Sequence, residues 1–216
     1  MRVDMHIHSI YSPDGKVLVK DILKIAKKLG LGAVAITDHN EIKGALEARK
    51  LGVLPVIRGI EISSKEGHIL AYGVDCKIPR DLSILETIEK IHDCGGIAVA
   101  AHPYRYWSGI GEKNTKNYKF DAIEIFNGRC KEKSNHRAKN LCKQLKKPYT
   151  AGSDAHFADE IGKAGIIVDG ENEDDIIDAV LKYKVEIFGR SRNASETMRY
   201  VKKAVSEWID RGFKRI

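Results

Sequence analysis

The chain has 216 residues, 43% hydrophobic and 31% charged, with a formal net charge of +7; that length suits one domain with a sizeable core better than two independent ones. No apolar stretch approaches the roughly 20 residues that a membrane-spanning helix needs, and the start, Met1-Arg2-Val3-Asp4-Met5-His6, lacks the basic segment and apolar run of a secretory signal, so a soluble, cytoplasmic protein is expected. Cys76, Cys94, Cys130 and Cys142 are scattered without a Cys-x-x-Cys pair, which argues against a zinc-thiolate or redox motif and leaves reduced, partly buried cysteines as the expectation.

Short apolar, β-branched runs alternate with amphipathic stretches, the pattern of successive βα units around a parallel sheet. Strands are predicted near 3–8, 33–38, 56–63, 68–73, 97–102, 122–127, 149–154 and 165–168. Ile22, Leu23, Ile25, Ala26 and Leu29 keep helical spacing and stop at Gly30; Leu82, Leu85, Ile88 and Ile91 repeat the pattern before Gly95-Gly96. Leu141 and Leu145 support a helix before Pro148, and two more helices are expected over 174–183 and 195–211. With no internal repeat or linker, residues 1–190 read as one domain and 191–216 as a basic helical segment packed on it or extending it. Few glutamines and many Ile, Lys and Glu residues fit a heat-adapted composition.

The positive charge is uneven: 190–216 holds eight Lys/Arg against three Asp/Glu, and 128–149 holds eight against one. Solvated helix faces explain both runs, and the same field would also draw in an anionic substrate.

The polar residues fall where strands end. His6 and His8, Asp38 and His39, Glu61, His102, and Asp154 with His156 lie at or just past predicted strand C-termini, the rim on which parallel α/β barrels build active sites. Two apart on a strand, His6 and His8 project to one face and can share a metal. Asp14 sits in the turn Ser12-Pro13-Asp14-Gly15, and Asp38 of Thr37-Asp38-His39-Asn40 is expected to support the His39 ring. Glu61 is a lone carboxylate inside the apolar strand Gly59-Ile60-Glu61-Ile62-Ser63, where an unpaired charge would cost several kcal/mol and a compensating cation is needed. His68 opens the next apolar run, His102-Pro103 closes another, and Asp154-Ala155-His156 repeats the two-apart spacing. Mixed nitrogen and oxygen ligands suit zinc, iron or manganese.

The ordered series His-x-His, Thr-Asp-His, Gly-Ile-Glu, His-x-Leu, His-Pro and Ser-Asp-x-His resembles the PHP family, named for its polymerase and histidinol phosphatase members, over residues 4–156. The resemblance implies a distorted (β/α)7 barrel, two or three divalent metal ions (Mn, Zn or Fe), and ester hydrolysis by a hydroxide bridging the metals near Glu61. By the family pattern His6, His8, Glu61 and Asp154 hold a first metal, Glu61 with His68 and His102 a second, and Asp14, His39 and His156 a third; Glu61, Asp154 and His156 are then the expected catalytic residues. Aspartate at position 14 is similar to the branch acting on nucleotides and short oligonucleotides, although the domain that branch often inserts after the His-Pro motif is not visible here. Arg105 and Arg129 are expected to bind the substrate phosphate, because a guanidinium matches it with two prongs. The expected partner is a phosphorylated small molecule or short nucleic acid, with no membrane and no obligate protein partner. A histidinol-phosphate or other small phosphomonoesterase and a non-catalytic metal-binding or nucleic-acid-binding module remain alternatives.

Overall fold

The computed structural model describes residues 1–191, 197–198, 201, 205–206, 209 and 212. Nine strands among them, β1 (Arg2–Ile7), β2 (Ala33–Ile36), β3 (Val56–Ser63), β4 (His68–Tyr72), β5 (Ile97–Ala100), β6 (Ala122–Asn127), β7 (Tyr149–Gly152), β8 (Ala164–Val168) and β9 (Val185–Gly189), form one sheet in the order β7-β6-β5-β4-β3-β2-β1-β8-β9. β1 to β3 are parallel, as are β5 to β7. The sheet curls until the end of β7 meets β1, where Asp154 N donates to His6 O and His8 N to Ala155 O, each at 2.8 Å. That approach leaves no room for a side chain at Gly152, whose Cβ would lie 2.3 Å from the His6 Cβ. The result is a nearly closed, distorted α/β barrel, with β8 and β9 continuing the sheet antiparallel beyond β1.

The all-parallel expectation is corrected at β4, which runs antiparallel to both β3 and β5. A parallel crossover needs a dozen or more residues, and only 64–67 join β3 to β4. The reversal has a direct consequence for the rim: the start of β4, with His68, lies opposite Ser63 at the end of β3.

Six helices, α1 (Val19–Lys28), α2 (Lys43–Leu51), α3 (Ile84–Asp93), α4 (Glu112–Asn117), α5 (Glu132–Leu145) and α6 (Glu173–Leu181), accompany the strands. α1 buries Val19, Ile22, Leu23 and Ala26, one stripe of an amphipathic helix. Ser83 and Glu86 cap each other's backbone N–H groups at the start of α3. The sequence reading lacked α2, α4 and β9. α2 buries Gly44, Ala45 and Ala48, a face too small to register as an apolar stripe. The helix expected over 195–211 lies mostly outside the described residues; Val201 and Val205, which are described, are exposed. No helix among the described residues is long and apolar enough to cross a membrane.

One buried apolar cluster joins α1, α2, α3 and α5 to the strands, and a second includes Met5, Ile57, Leu70, Tyr72, Val99 and, from α6, Ile176 and Val180. The Tyr72 hydroxyl donates to Met5 O at 2.7 Å, spanning from β4 to β1, which are not neighbours, so this second cluster fills the barrel interior.

The expectation of four reduced cysteines is corrected. Cys76 in the β4–α3 connection is disulfide-bonded to Cys94 at the end of α3, with Cα atoms 6.0 Å apart, while Cys130 and Cys142 keep buried thiols outside that bond. No short motif announces this pair, because the two meet only when the connection folds back on α3. Closing a loop of this size stabilises by about 3 kcal/mol in the chain-entropy account. Thiol titration of the unfolded, unreduced protein should therefore find two thiols, rising to four after reduction; four thiols before reduction would contradict the pairing. In the native protein Cys142 should stay unreactive at neutral pH and gain reactivity only as pH rises, since burial pushes its thiol up to about 11.

Candidate metal centre

β1 supplies His6 and His8, both fully buried, and the hydrogen bonds behind each ring fix which nitrogen faces inward. His6 Nδ1 lies 2.9 Å from Glu124 Oε1. A carboxylate only accepts, so Nδ1 carries the hydrogen and Nε2 keeps its lone pair. Behind His8, the Ser12 hydroxyl accepts the His39 backbone N–H at 2.8 Å and gives its own hydrogen to Asp38 Oδ1 at 3.1 Å. Its remaining lone pair receives His8 Nδ1–H at 2.9 Å, again leaving Nε2 bare. His156 repeats the arrangement by donating Nδ1–H to Asp154 O at 2.9 Å.

The His6 and His8 Nε2 atoms then face each other at 3.1 Å. Two lone pairs so placed repel, and positive charge between them, a proton on one ring or a bound cation, removes the conflict. Glu61 Oε2 stands 3.3 and 3.2 Å from these two nitrogens, and Asp154 Oδ1 stands 3.7 and 3.5 Å away. Bonds of roughly 2.0–2.2 Å to one central ion place tetrahedral ligand atoms about 3.3–3.6 Å apart. Asp154 Oδ1, buried, has no hydrogen-bond partner. The donor set and its spacing fit a divalent metal ion.

Glu61 divides its carboxylate between two groups of imidazoles. Oε1 lies 2.8 Å from both His68 Nδ1 and His102 Nε2, whereas Oε2 faces His6, His8 and, at 3.3 Å, His39 Nδ1. Asp14 lies 2.9 Å from His156 Nε2 and 3.9 Å from His39 Nε2, and its second oxygen is likewise buried without a hydrogen bond. Among the described residues, three groups of donor atoms are compact enough to hold an ion: His8, Asp14, His39 and His156; His6, His8 and Glu61; and His39, Glu61 and His68. All nine residues expected as ligands thus converge on one buried cluster, in which neighbouring imidazole centroids are 4.2 to 6.1 Å apart. Within it, His39 stands between two groups, and His102 meets the cluster through Glu61.

The electrostatics call for positive charge. Burial disfavours ionised Glu61, Asp14 and Asp154, yet the surrounding imidazoles and, for Asp154, Arg105 hold all three well below the ordinary carboxylate range. Burial likewise opposes a charged His8, but Asp154 and Glu61 overcome it and push its pKa up to about 9; His6 is raised well above its ordinary value. His39, His102 and His156 go the other way, chiefly through burial, His156 to about 4. They are neutral donors at physiological pH. Arg105 and Arg129 both turn toward Asp154, Arg105 in a direct hydrogen bond and Arg129 at 3.9 Å. His102 and Asp154 hold positive φ, +26° and +56°, strain of a kind that concentrates at functional sites.

One expected contact is corrected: Asp38 does not touch the His39 ring. Its carboxylate takes Ser9 N, Ser9 Oγ and Ser12 Oγ at 2.6 to 3.1 Å, so its support passes through Ser12 to His8. Sequence reasoning also missed Glu124, which is fully buried, accepts His102 N at 2.9 Å besides orienting His6, and is contacted by Asn127. The signal was available, since Glu124 interrupts the apolar run Ala122 to Phe126 just as Glu61 interrupts β3. Asp4, also missed, joins β1 to the β7 end by accepting Ser153 N at 2.9 Å.

Residues 132–185 match the model of a family described as PHP-associated. An uncharacterised protein of Methanocaldococcus jannaschii is 42% identical over 142 residues, which cover 59% of this chain and 82% of that protein. A phosphoribosyl 1,2-cyclic phosphate 1,2-diphosphodiesterase of Eggerthella lenta is 32% identical over 99 residues, 41% of this chain and 37% of the relative. Among solved structures, a two-domain protein of Bacteroides vulgatus described as containing a PHP-like metal-dependent phosphoesterase shares the fold, with a TM-score of 0.73 and 18% identity over 92% of this chain and 68% of that one. Taken with the ligand series in its family order, these likenesses mean that this chain belongs to the PHP family of metal-dependent phosphoesterases.

Proposed function

We propose that the protein hydrolyses the phosphate ester of a nucleotide or short oligonucleotide, using two or three divalent ions drawn from manganese, zinc and iron. The observation that carries this reading is Glu61, whose two oxygens face separate sets of imidazoles as a carboxylate shared by two ions would. His6, His8, Glu61 and Asp154 would hold one ion, Glu61, His68 and His102 a second, and Asp14, His39 and His156 a third. Such ions, when bound, supply a low-pKa water and neutralise the phosphoryl oxygens as charge develops.

The chain's own groups do the rest. Glu124 and the Asp38–Ser12 pair hold the His6 and His8 rings with Nε2 forward, so that ligand geometry is set before any ion arrives. Arg105 and Arg129 sit beside Asp154 and would accept the ester phosphate, two guanidiniums offering forked donors to its oxygens. Asp154, beside both arginines, and His156, 3.5 Å from Asp154, would help position the reacting groups. No protein nucleophile is required.

Three outcomes follow. After reconstitution, elemental analysis should find two or more transition-metal ions per chain; one or none would contradict the shared-carboxylate reading. With manganese, a panel of nucleotides, dinucleotides and simple phosphomonoesters should show turnover that Glu61→Gln lowers at least about 1,000-fold, the scale expected when electrostatic stabilisation of the transition state is lost; an active Glu61→Gln would sink the assignment. Ser12→Ala and Glu124→Gln should each weaken metal affinity about 10–100-fold in competition with a chelating dye. Unchanged affinity in both would mean that these hydrogen bonds do not set the ligands.

A further inference from the structure

We propose that Tyr106 and Trp107 form a stacking platform for the base of the substrate, selecting phosphate esters that carry a nucleobase. The inference rests on the phosphoesterase reading and adds to it the residues that recognise the group beyond the phosphate.

Tyr106 is 86% and Trp107 85% exposed, more than any other large hydrophobic residue described. Aromatic side chains normally bury 150–250 Å² each, so two adjacent ones left in water require an explanation. Their rings meet edge to face, with centroids 4.7 Å apart, and pack against one another. The loop beneath them is anchored on both sides by the metal-centre residues. Arg105 N donates to His102 O at 2.9 Å, and His68 N donates to Ser108 O at 2.9 Å. Gly109 closes the turn where any Cβ would lie 2.5 Å from His102 O and 2.7 Å from Arg105 O. Tyr104 is held from the other side by Glu112, at 2.7 Å, and by the Arg137 guanidinium over its ring at 4.0 Å. The tip is therefore a fixed feature of the rim, and its two rings are left free of the packing that orders everything below them.

Position supplies the occupant. Arg105 immediately precedes the pair and its guanidinium reaches Asp154 in the metal cluster, so the backbone that carries the two rings stands about one arginine side chain from that cluster. A ligand engaging both must carry an anion at one end and a planar apolar surface a short distance away. A nucleotide has that construction, and a base stacks on an aromatic ring whatever its identity, because every base has a π face. The cationic surroundings of the rim, with Arg105 and Arg129, complement its phosphate.

The test compares AMP with ribose 5-phosphate, which lacks the base, on the manganese-loaded full chain. In the Tyr106→Ala/Trp107→Ala double variant the ratio of kcat/KM for AMP to that for ribose 5-phosphate should fall roughly 10-fold, and Trp107→Phe should retain most of the ratio. An unchanged ratio overturns the proposal, including the case where the variant instead alters self-association in sedimentation and so marks a protein contact. Quenching of tryptophan fluorescence by AMP provides a readout independent of turnover: it should occur in the wild type and be lost in Trp107→Phe. If no ester is hydrolysed but this quenching is seen, the phosphoesterase reading falls and the platform stands; if esters are hydrolysed and the quenching is absent or persists in Trp107→Phe, the platform falls and the reading stands.

Discussion

A single buried carboxylate organises this molecule's rim. Glu61 sits in the middle of an otherwise apolar strand, 1% exposed, with five imidazoles directed at its two oxygens. An isolated charge there would cost several kcal/mol. The surrounding imidazoles offset that cost, and the rings of His6 and His8 are oriented from behind with Nε2 turned toward the carboxylate. The conflict between bare nitrogens 3.1 Å apart and a carboxylate beside them is resolved by a cation, and the pKa values of His6 and His8 rise because the surroundings favour positive charge there. The same electrostatic demand reappears at Asp154, where Arg105 and Arg129 gather, and at Asp14, which faces His156 and His39.

The fold exists at this rim in a form that a regular parallel barrel would not supply. Reversing β4 brings His68 to the same end of the sheet as Glu61, and closing β7 onto β1 brings Asp154 and His156 to His6 and His8. Both depend on backbone approaches that tolerate little: a short β3–β4 connection in the first case and a side-chain-free Gly152 in the second. The helices that wrap the barrel fix where the strands end, and the strand ends carry the chemistry.

Much of this was legible in the amino-acid order because strand C-termini announce themselves. An apolar run that stops in Asp-His, His-Pro or Asp-x-His exposes its polar residues at one level of a barrel, and local spacing reports it. What was illegible needed distant partners. The Asp38 carboxylate looked like a support for the adjacent His39, but its acceptor atoms are filled by Ser9 and Ser12, 29 and 26 residues away, and the ring it steadies is that of His8. Cys76 and Cys94 gave no motif because a fold-back, not a spacing, brings them together. α2 went unseen because its buried face is made of glycine and alanine, and β4's direction because an apolar strand reads the same either way. Glu124 was the avoidable omission, being a second acid within an apolar strand.

The most direct test of the central claim is thermal unfolding of the wild type and of Glu61→Gln, each measured with excess manganese and with a chelator. If the buried carboxylate and its imidazoles form a site that requires a cation, the metal binds the folded state alone and raises the wild-type midpoint by several degrees, as saturating a tight site should. The Glu61→Gln midpoint should respond far less. Equal metal-dependent shifts in the two proteins, or no shift in either, would contradict the account.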